Sequence, residues 1–386
     1  MARFVHIADL HLGRSLNNYS LLEEQKYALD QIVDFIRSSE PAVDALLIAG
    51  DVFDRAVPPT DAIVLLNDVF QVVASQMATP VLVIPGNHDN AHRMTLTNGL
   101  TKDTLRIAPS IENGLTRVTL KDQFGPVDIF LIPFLEPALV RFATGQKSAR
   151  DQESALRAVI DQIRSLPDKA DRCVLVAHAF VRNGTQSDSE RDLYVGGSGQ
   201  VHGDVFKSFE YVALGHLHKA QAVDDMGRIQ YSGSLLKYSK SEASHTKSFT
   251  VIDMNEKGDI ETSRMPLVHR RDLRVIRGLF SDIMANAKDD QHRDDYVFFE
   301  LEDDTPVSEV MARLQRWYPQ AVHLSYADKT DTMLDPKPEV DHHNLSIEGH
   351  FSNFYAQVTG QMMDARQTEA VELLVTKMDA PTNGSS

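Results

Sequence analysis

Asp9 and His11 stand two residues apart, directly after a short apolar run at residues 4–8. In an extended backbone, residues two apart project to the same side, so this pair could grip one ion together. Behind the run at 211–214, Gly215-His216-Leu217-His218 repeats the device with two imidazoles. Asp51 follows Gly50 after the run at 45–49, Asn87 follows Gly86 after the run at 81–84, and His178 closes the run at 174–177. A single carboxylate or histidine at a strand end is more often a solvated or internally satisfied group than a ligand. Asp9, His11, Asp51, Asn87, His178, His216 and His218, one set drawn from five such ends, resist that explanation together.

Seven ligands exceed the needs of one four- to six-coordinate ion and suit two ions that share a carboxylate, for which Asp51 is the natural bridge. Paired divalent ions roughly 3.5–4 Å apart can activate a water between them, bind phosphate oxygens and stabilise the leaving oxygen of an in-line displacement. The chemistry expected is hydrolysis of a phosphate ester. Imidazole, carboxylate and amide without sulfur suit Mn²⁺, Fe²⁺ or Zn²⁺ better than Ca²⁺ or Mg²⁺. His88 is expected to point at the phosphate as general acid or transition-state stabiliser, with Asp89 orienting its ring. The competing expectation for His88 is a structural group that only supports the ligands. Asp54 and Arg55 are expected to do no more than brace the loop after Asp51.

These side chains need a rigid frame. The five runs read as buried strands, and the segments 21–36 and 61–74 carry apolar residues at helical spacing. That alternation predicts an α/β layered sandwich with helices covering the sheet system, its sites at the strand ends. Runs at 127–133, 228–232 and 248–252 extend the sheets, and this first domain is expected to span 1–265. Strand-like runs at 273–277, 296–301 and 321–325 alternate with helical patterns at 279–287 and 307–317, which predicts a small α+β cap over 266–327. Residues 328–343, rich in Asp, Lys and Pro, read as a linker. Within 344–380, Phe351, Phe354, Tyr355 and Val358 recur at helical spacing, and Val371 and Leu374 do so again. Two amphipathic helices follow, either folded back on their own domain or free to dock a protein partner. The tail 381–386 reads as disordered.

Composition narrows the class. The chain has 386 residues, too many for one comfortable core, and a formal charge of −16. From Pro266 onward 21 acidic residues face 12 basic ones, so −9 of that charge lies there and −7 before it. The acidic balance opposes nonspecific nucleic-acid binding, so bound cations, local basic loops or a partner must help hold a polyanion. The single cysteine, Cys173, excludes internal disulfides and thiolate clusters. Nothing near Met1 resembles a signal peptide and no apolar stretch is long enough to span a bilayer, so the expectation is a cytoplasmic, nucleoid-associated protein without membrane contact.

Asp9-Leu10-His11, Gly50-Asp51-Val52-Phe53-Asp54, Gly86-Asn87-His88-Asp89, His178 and Gly215-His216-Leu217-His218 together resemble the five motifs of the calcineurin-like metallophosphoesterases. His11-Leu12-Gly13, Val195-Gly196-Gly197-Ser198 and the segments 211–218 and 231–238 resemble, within that superfamily, the nuclease subunits of bacterial SbcCD complexes, which serve DNA repair, recombination and replication. The resemblance implies a phosphoesterase domain, a DNA-capping domain and C-terminal helices that dock on the coiled-coil base of an SbcC-type ATPase, with a homodimer inside a heterotetramer. It implies one ion on Asp9, His11, Asp51 and His218 and another on Asp51, Asn87, His178 and His216, with Mn²⁺ preferred. It further implies ATP-dependent 3′ to 5′ exonuclease activity on duplex DNA and endonuclease activity on single strands and hairpins. The chain carries no phosphate-loop signature, so ATP hydrolysis falls to the partner. Position 54 is Asp where some relatives carry His. The alternative functions are a phosphoesterase acting on a small molecule or a protein, since the five motifs do not select the substrate, and a noncatalytic scaffold, against which His88 speaks.

Overall fold

The structure is a computed structural model that describes residues 1–95, 104–190 and 199–327, together with 363, 367, 368 and 371. The chain divides into a unit at 1–327 and a unit at 328–386. Of the second, Val371 is described and is buried; Phe351, Phe354, Tyr355, Val358 and Leu374, the linker at 328–343 and the tail lie outside the described residues, as do Val195 to Ser198 of the sequence motif.

Strands buried on both faces need cover on both faces, and four of the five motif strands are buried along their whole length. The chain first lays down β1 (Ala2–Ile7), β2 (Ala45–Ala49), β3 (Val81–Ile84) and β4 (Leu105–Ile107) as neighbouring parallel strands. It then builds a second sheet from β5 (Thr116–Asp122), β6 (Gly125–Ile132), β7 (Arg172–His178), β8 (Tyr211–Gly215), β9 (Gln221–Ala222) and β10 (Ile229–Tyr231), in the order β9-β10-β8-β7-β6-β5. It returns with β11 (Ser248–Met254) and β12 (Ile260–Pro266), which add antiparallel beside β1 to give β12-β11-β1-β2-β3-β4.

The α/β sandwich expected from the sequence is thus two six-stranded sheets stacked face to face, each covered by helices on its outer side. Strand alternation sorts the side chains. Phe4, Leu47, Leu82, Val174, Val176 and Tyr211 fill the space between the sheets. Val5, Ile7, Leu46 and Ile48 face outward under α1 (Leu22–Ser38) and α2 (Thr60–Phe70). Leu175 and Ala177 face α3 (Pro137–Thr144) and α4 (Gln152–Arg164) on the other side. His6 ties the layers together. One ring nitrogen lies 3.0 Å from the Tyr211 hydroxyl and the other 3.1 Å from the Leu214 carbonyl. Burial drives its pKa down to about 3, so the ring is neutral.

The cap matches the expected alternation: β13 (Leu273–Gly278), α5 (Phe280–Asn286), β14 (Tyr296–Leu301), α6 (Val310–Gln315) and β15 (Ala321–Tyr326), with three parallel strands in the order β13-β14-β15. Phe280, Ile283, Val297, Phe299, Leu301 and Leu314 form its own core. Leu273, Tyr296 and Val322 instead join the core beneath α1, and the Tyr19 hydroxyl donates to the Pro319 carbonyl at 2.9 Å, so the cap is anchored to the main sheets. No helix among the described residues is long and apolar enough to cross a membrane.

Candidate metal centre

Because β2 and β3 of one sheet and β7 and β8 of the other end on the same rim, their loops meet. His178 at the end of β7 donates from Nδ1 to the Ala49 carbonyl at the end of β2, over 2.9 Å. The approach is close enough that a Cβ on Gly215 would sit 1.9 Å from the Ala49 oxygen, and one on Gly86 would sit 2.2 Å from the Asp51 carboxylate. Only glycine fits at either position.

Asp9 and His11 do converge, but not for the reason strand alternation supplies. β1 ends at Ile7, and Asp9 and His11 have left-handed backbone, with φ of 52° and 44°. The loop is held there by pairing with the loop after β2: Asp9 N to Gly50 O, His11 N to Asp51 O and Leu12 N to Val52 O, at 3.0, 3.0 and 2.9 Å. Asp51 (φ 48°) and His216 (φ 114°) lie in the same region of backbone space. Such conformations cost non-glycine residues about 1–3 kcal/mol each and persist where the surroundings over-determine them.

The Asp51 carboxylate is the hub. Its Oδ1 accepts the His88 backbone N–H at 2.9 Å. Its Oδ2 lies 3.6 Å from His178 Nε2, 3.8 Å from His11 Nε2 and 3.9 Å from His88 Nε2. On one side His11 Nε2 faces His218 Nε2 at 3.0 Å; on the other, Asn87 Oδ1 lies 3.0 Å from His178 Nε2 and 3.3 Å from His216 Nδ1. Asp9 accepts the His216 backbone N–H with both oxygens, at 2.9 and 3.1 Å. All seven side chains named from the sequence therefore meet in one cluster, six of them buried and Asn87 half-buried. Asp9, His11 and His218, and likewise Asp9, Asp51 and His178, offer ligand atoms within 4.8 Å of one another.

The donor set fits cations. His178 spends its one proton on Ala49, so its Nε2 presents a lone pair, and the atoms it faces, Asn87 Oδ1 and Asp51 Oδ2, are also acceptors. Acceptors facing acceptors across a dry interior repel unless positive charge lies among them. His11 Nδ1 is buried without a hydrogen-bond partner. Burial lowers the pKa of His11, His178, His216 and His218, that of His216 to about 3, which keeps these rings neutral and their lone pairs free. Burial, and then the charge of Asp51, pushes the Asp9 carboxyl well above its usual range. For Asp51 burial pulls upward, but His178, His88 and the His88 N–H outweigh it and hold the carboxylate below its usual value. Two acids forced together at the floor of a neutral imidazole cage form a site that a pair of divalent cations would satisfy.

His88 also reaches the cluster. Its Nδ1 donates to the Asp54 carbonyl at 2.8 Å, which turns Nε2 toward the centre. The expected contact from Asp89 to this ring does not form. The Asp89 carboxylate instead accepts the backbone N–H groups of Val52, Phe53 and Gly86 at 3.0, 2.9 and 2.9 Å, clamping the loop after β2 to the loop after β3. Both of its oxygens are engaged by these backbone donors, and the His88 ring nitrogen that could have met it bonds the Asp54 carbonyl instead. Burial, then the charge of Asp51, raises its pKa to about 7. Asp54 does more than brace its loop: besides holding His88, its carboxylate lies 3.5 Å from Arg14 and 3.7 Å from the unpartnered His11 Nδ1.

Sequence reasoning missed Glu242. It is fully buried, lies 3.3 Å from His218 Nδ1, and accepts from Ser189 and from Lys247, each at 2.5 Å. Together with the Ser189 hydroxyl, which lies 2.6 Å from His218 Nδ1 and donates its own proton to Glu242, it fixes which His218 nitrogen carries the proton, leaving Nε2 for the centre. Glu190 accepts the His218 backbone N–H at 2.6 Å. Nothing in the ordinary charged stretch around Glu242 marks it, because its partner lies 24 residues away in the chain.

Residues 2–220 match the family model described as calcineurin-like phosphoesterase, and residues 269–359 match one described as type 5 capsule protein repressor C-terminal domain. Two curated relatives are both named as the SbcD subunit of the nuclease SbcCD. That of Staphylococcus saprophyticus is 31% identical over 383 residues, covering 97% of this chain and 98% of the relative. That of Staphylococcus epidermidis is 30% identical over 377 residues, with the same coverage. A solved structure of a hypothetical protein from Thermus thermophilus is similar at 11% identity and a TM-score of 0.37, covering 69% of this chain and 99% of that one, a likeness too distant to carry an argument. On its sequence and on the loops that meet at its rim, the chain belongs to the calcineurin-like phosphoesterase family and, within it, to the SbcD family of SbcCD nuclease subunits.

Proposed function

We propose that the chain is a two-metal DNA phosphodiesterase, the nuclease subunit of an SbcCD-type complex. The observation that carries the reading is the position of Asp51 Oδ2, 3.6 to 3.9 Å from imidazole nitrogens that arrive from two loops and from the end of β7. A carboxylate with ligands on two sides is what a bridged pair requires. Asp9, His11, Asp51 and His218 would hold one ion, and Asp51, Asn87, His178 and His216 the other, Mn²⁺ before Fe²⁺ or Zn²⁺. Two such ions supply Lewis acidity toward phosphate oxygens and a nucleophile at neutral pH.

The chain's own groups do the rest. Because His88 Nδ1 keeps its proton on the Asp54 carbonyl, Nε2 carries one only when the ring is cationic, which makes it a general acid for the leaving oxygen or a donor to a phosphate oxygen. Asp89 acts through the loops it clamps and is a positioning residue. Glu242 orients His218.

The finer reading follows the relatives. The chain would cut duplex ends 3′ to 5′ with ATP hydrolysed by an SbcC-type partner, and open single strands and hairpins, as a homodimer within a heterotetramer in the cytoplasm. A phosphoesterase domain at 1–265, a DNA-capping domain at 266–327, a linker at 328–343 and a partner-docking segment at 344–380, with Phe351, Phe354, Tyr355, Val358, Val371 and Leu374 on its apolar faces, complete the proposal. Incubation with Mn²⁺, with and without the ATPase, on end-labelled linear DNA and on a chromogenic phosphodiester tests it. DNA cutting that the ATPase and ATP stimulate supports the reading. Hydrolysis of the small ester alone under both conditions would instead assign a small-molecule phosphoesterase.

A further inference from the structure

Next to the rim, and outside the seven-residue cluster, a cavity of about 460 Å³ opens where the segment after His218 meets the start of β11 and the end of β12. Strand pairing locates it. β11 runs antiparallel to β1 with Thr250 opposite His6, so Ser248 lies at the end of the sheet where β1 delivers Asp9, and Ser248 in turn pairs with Pro266. The cavity therefore opens on the same edge of the sandwich as the metal centre.

Its walls carry Lys219, His245 and Arg264 with the hydroxyl residues Ser244, Thr246 and Ser248, and no carboxylate. In a chain of charge −16 this is unusual company. The other cations nearby are spent: Lys247 on Glu242 at 2.5 Å and Lys237 on Asp272 at 2.9 Å. Among the described residues neither Lys219 nor Arg264 has an ion-pair partner, and both are exposed. His245 Nδ1 is buried with no hydrogen-bond partner. Two permanent cations and three hydroxyls lining one cavity without a counter-charge suit the oxygens of a phosphodiester.

We infer that this cavity is a phosphate subsite that holds the nucleic-acid backbone beside the scissile bond as the strand leaves the metal rim. The inference rests on the reading of the chain as a DNA phosphodiesterase. It also answers the charge problem, since an acidic protein can grip a polyanion through one local cluster of unpaired donors.

The test uses the full chain with Mn²⁺ and a 5′-labelled single-stranded oligonucleotide, with cutting rates followed against oligonucleotide concentration at 50 and 200 mM salt. Arg264→Glu should raise KM about tenfold with kcat retained, and should flatten the salt dependence of kcat/KM by about one unit of log–log slope. Arg264→Lys should recover most of the affinity, which a merely misfolded surface would not allow. An unchanged KM and salt slope in Arg264→Glu, alongside a wild-type chain that cuts, would overturn the subsite alone. So would unchanged DNA kinetics with lost stimulation by the ATPase, which would make the surface a protein contact. A wild-type chain that hydrolyses a chromogenic diester but leaves the oligonucleotide whole sinks the nuclease reading and the subsite with it.

Discussion

Four of the rim's side chains, Asp9, His11, Asp51 and His216, sit on left-handed backbone, while in the cap Glu309 alone does so among the described non-glycine residues. The rim buries acids and imidazoles together; the cap buries Phe299, Val297 and Leu301 on regular parallel strands and leaves His292 and His323 exposed. Backbone strain and closely packed buried acids and imidazoles thus concentrate where the chemistry is proposed, and the cap is held by an apolar core. Stability and function should therefore separate by region under mutation.

The largest effect belongs to the hub. Asp51→Asn removes the proposed shared ligand and should cut Mn²⁺-dependent phosphodiester hydrolysis roughly a thousandfold or more. Melting of the metal-free variant should stay within about 1 kcal/mol of the parent, because a near-isosteric amide keeps an oxygen to accept the His88 backbone N–H. Retained activity on a chromogenic diester would remove Asp51 from the centre.

Phe299→Ala should do the reverse. It opens a cavity in the cap core and should cost about 3–5 kcal/mol in urea unfolding. Under native conditions its Mn²⁺ affinity, followed by calorimetry, should match the parent. Loss of metal binding in the folded variant would show that the two regions are not separable.

A smaller effect is expected from Glu242→Gln, which keeps the shape but removes the charge that holds His218. Mn²⁺ affinity should fall about 10–100-fold, with the pH profile of hydrolysis displaced; an unaltered affinity would reduce Glu242 to a partner of Lys247.

The least effect is in the pH dependence of stability, and it should arise from the rim and the sheet interface. His6 and His216 have pKa values near 3 in the folded chain against an ordinary 6.5, and burial also lowers His11, His178 and His218. Below pH 6.5 the unfolded chain binds protons that the folded chain refuses, so stability falls as pH drops through that window. Asp9, Asp89 and Glu190, whose pKa values are raised, bind protons in the folded chain and act the opposite way. Well below pH 6.5 each lowered imidazole costs and each raised carboxyl contributes a similar slope, so the five imidazoles outweigh the three carboxyls. The urea midpoint of metal-free protein should be lower at pH 4.5 than at 5.5, by the same amount in Phe299→Ala as in the parent. A higher midpoint at pH 4.5 would contradict the neutral-imidazole cage.

Much of this division was legible in the chain. The strand-end motifs named all seven cluster residues, and the cap's alternation of runs marked its three strands and two helices. The failures have physical reasons. The same-side argument for Asp9 and His11 assumed extended backbone, whereas long-range pairing with the loop after β2 holds them in a left-handed turn. The apolar runs located the strands without dividing them between two stacked sheets, since a wholly buried strand looks the same in either. α3 and α4 passed unread although Pro137 and the Asp151–Ser154 capping box mark their starts. Asp89 was paired with the wrong neighbour because the backbone N–H groups it accepts from leave no trace in sequence.

The most direct test is anomalous scattering from crystals of the full chain soaked in Mn²⁺. The account predicts two manganese peaks roughly 4 Å apart, with Asp51 between them, Asp9, His11 and His218 around one and Asn87, His178 and His216 around the other. A single fully coordinated ion, or manganese bound away from Asp51, would contradict it.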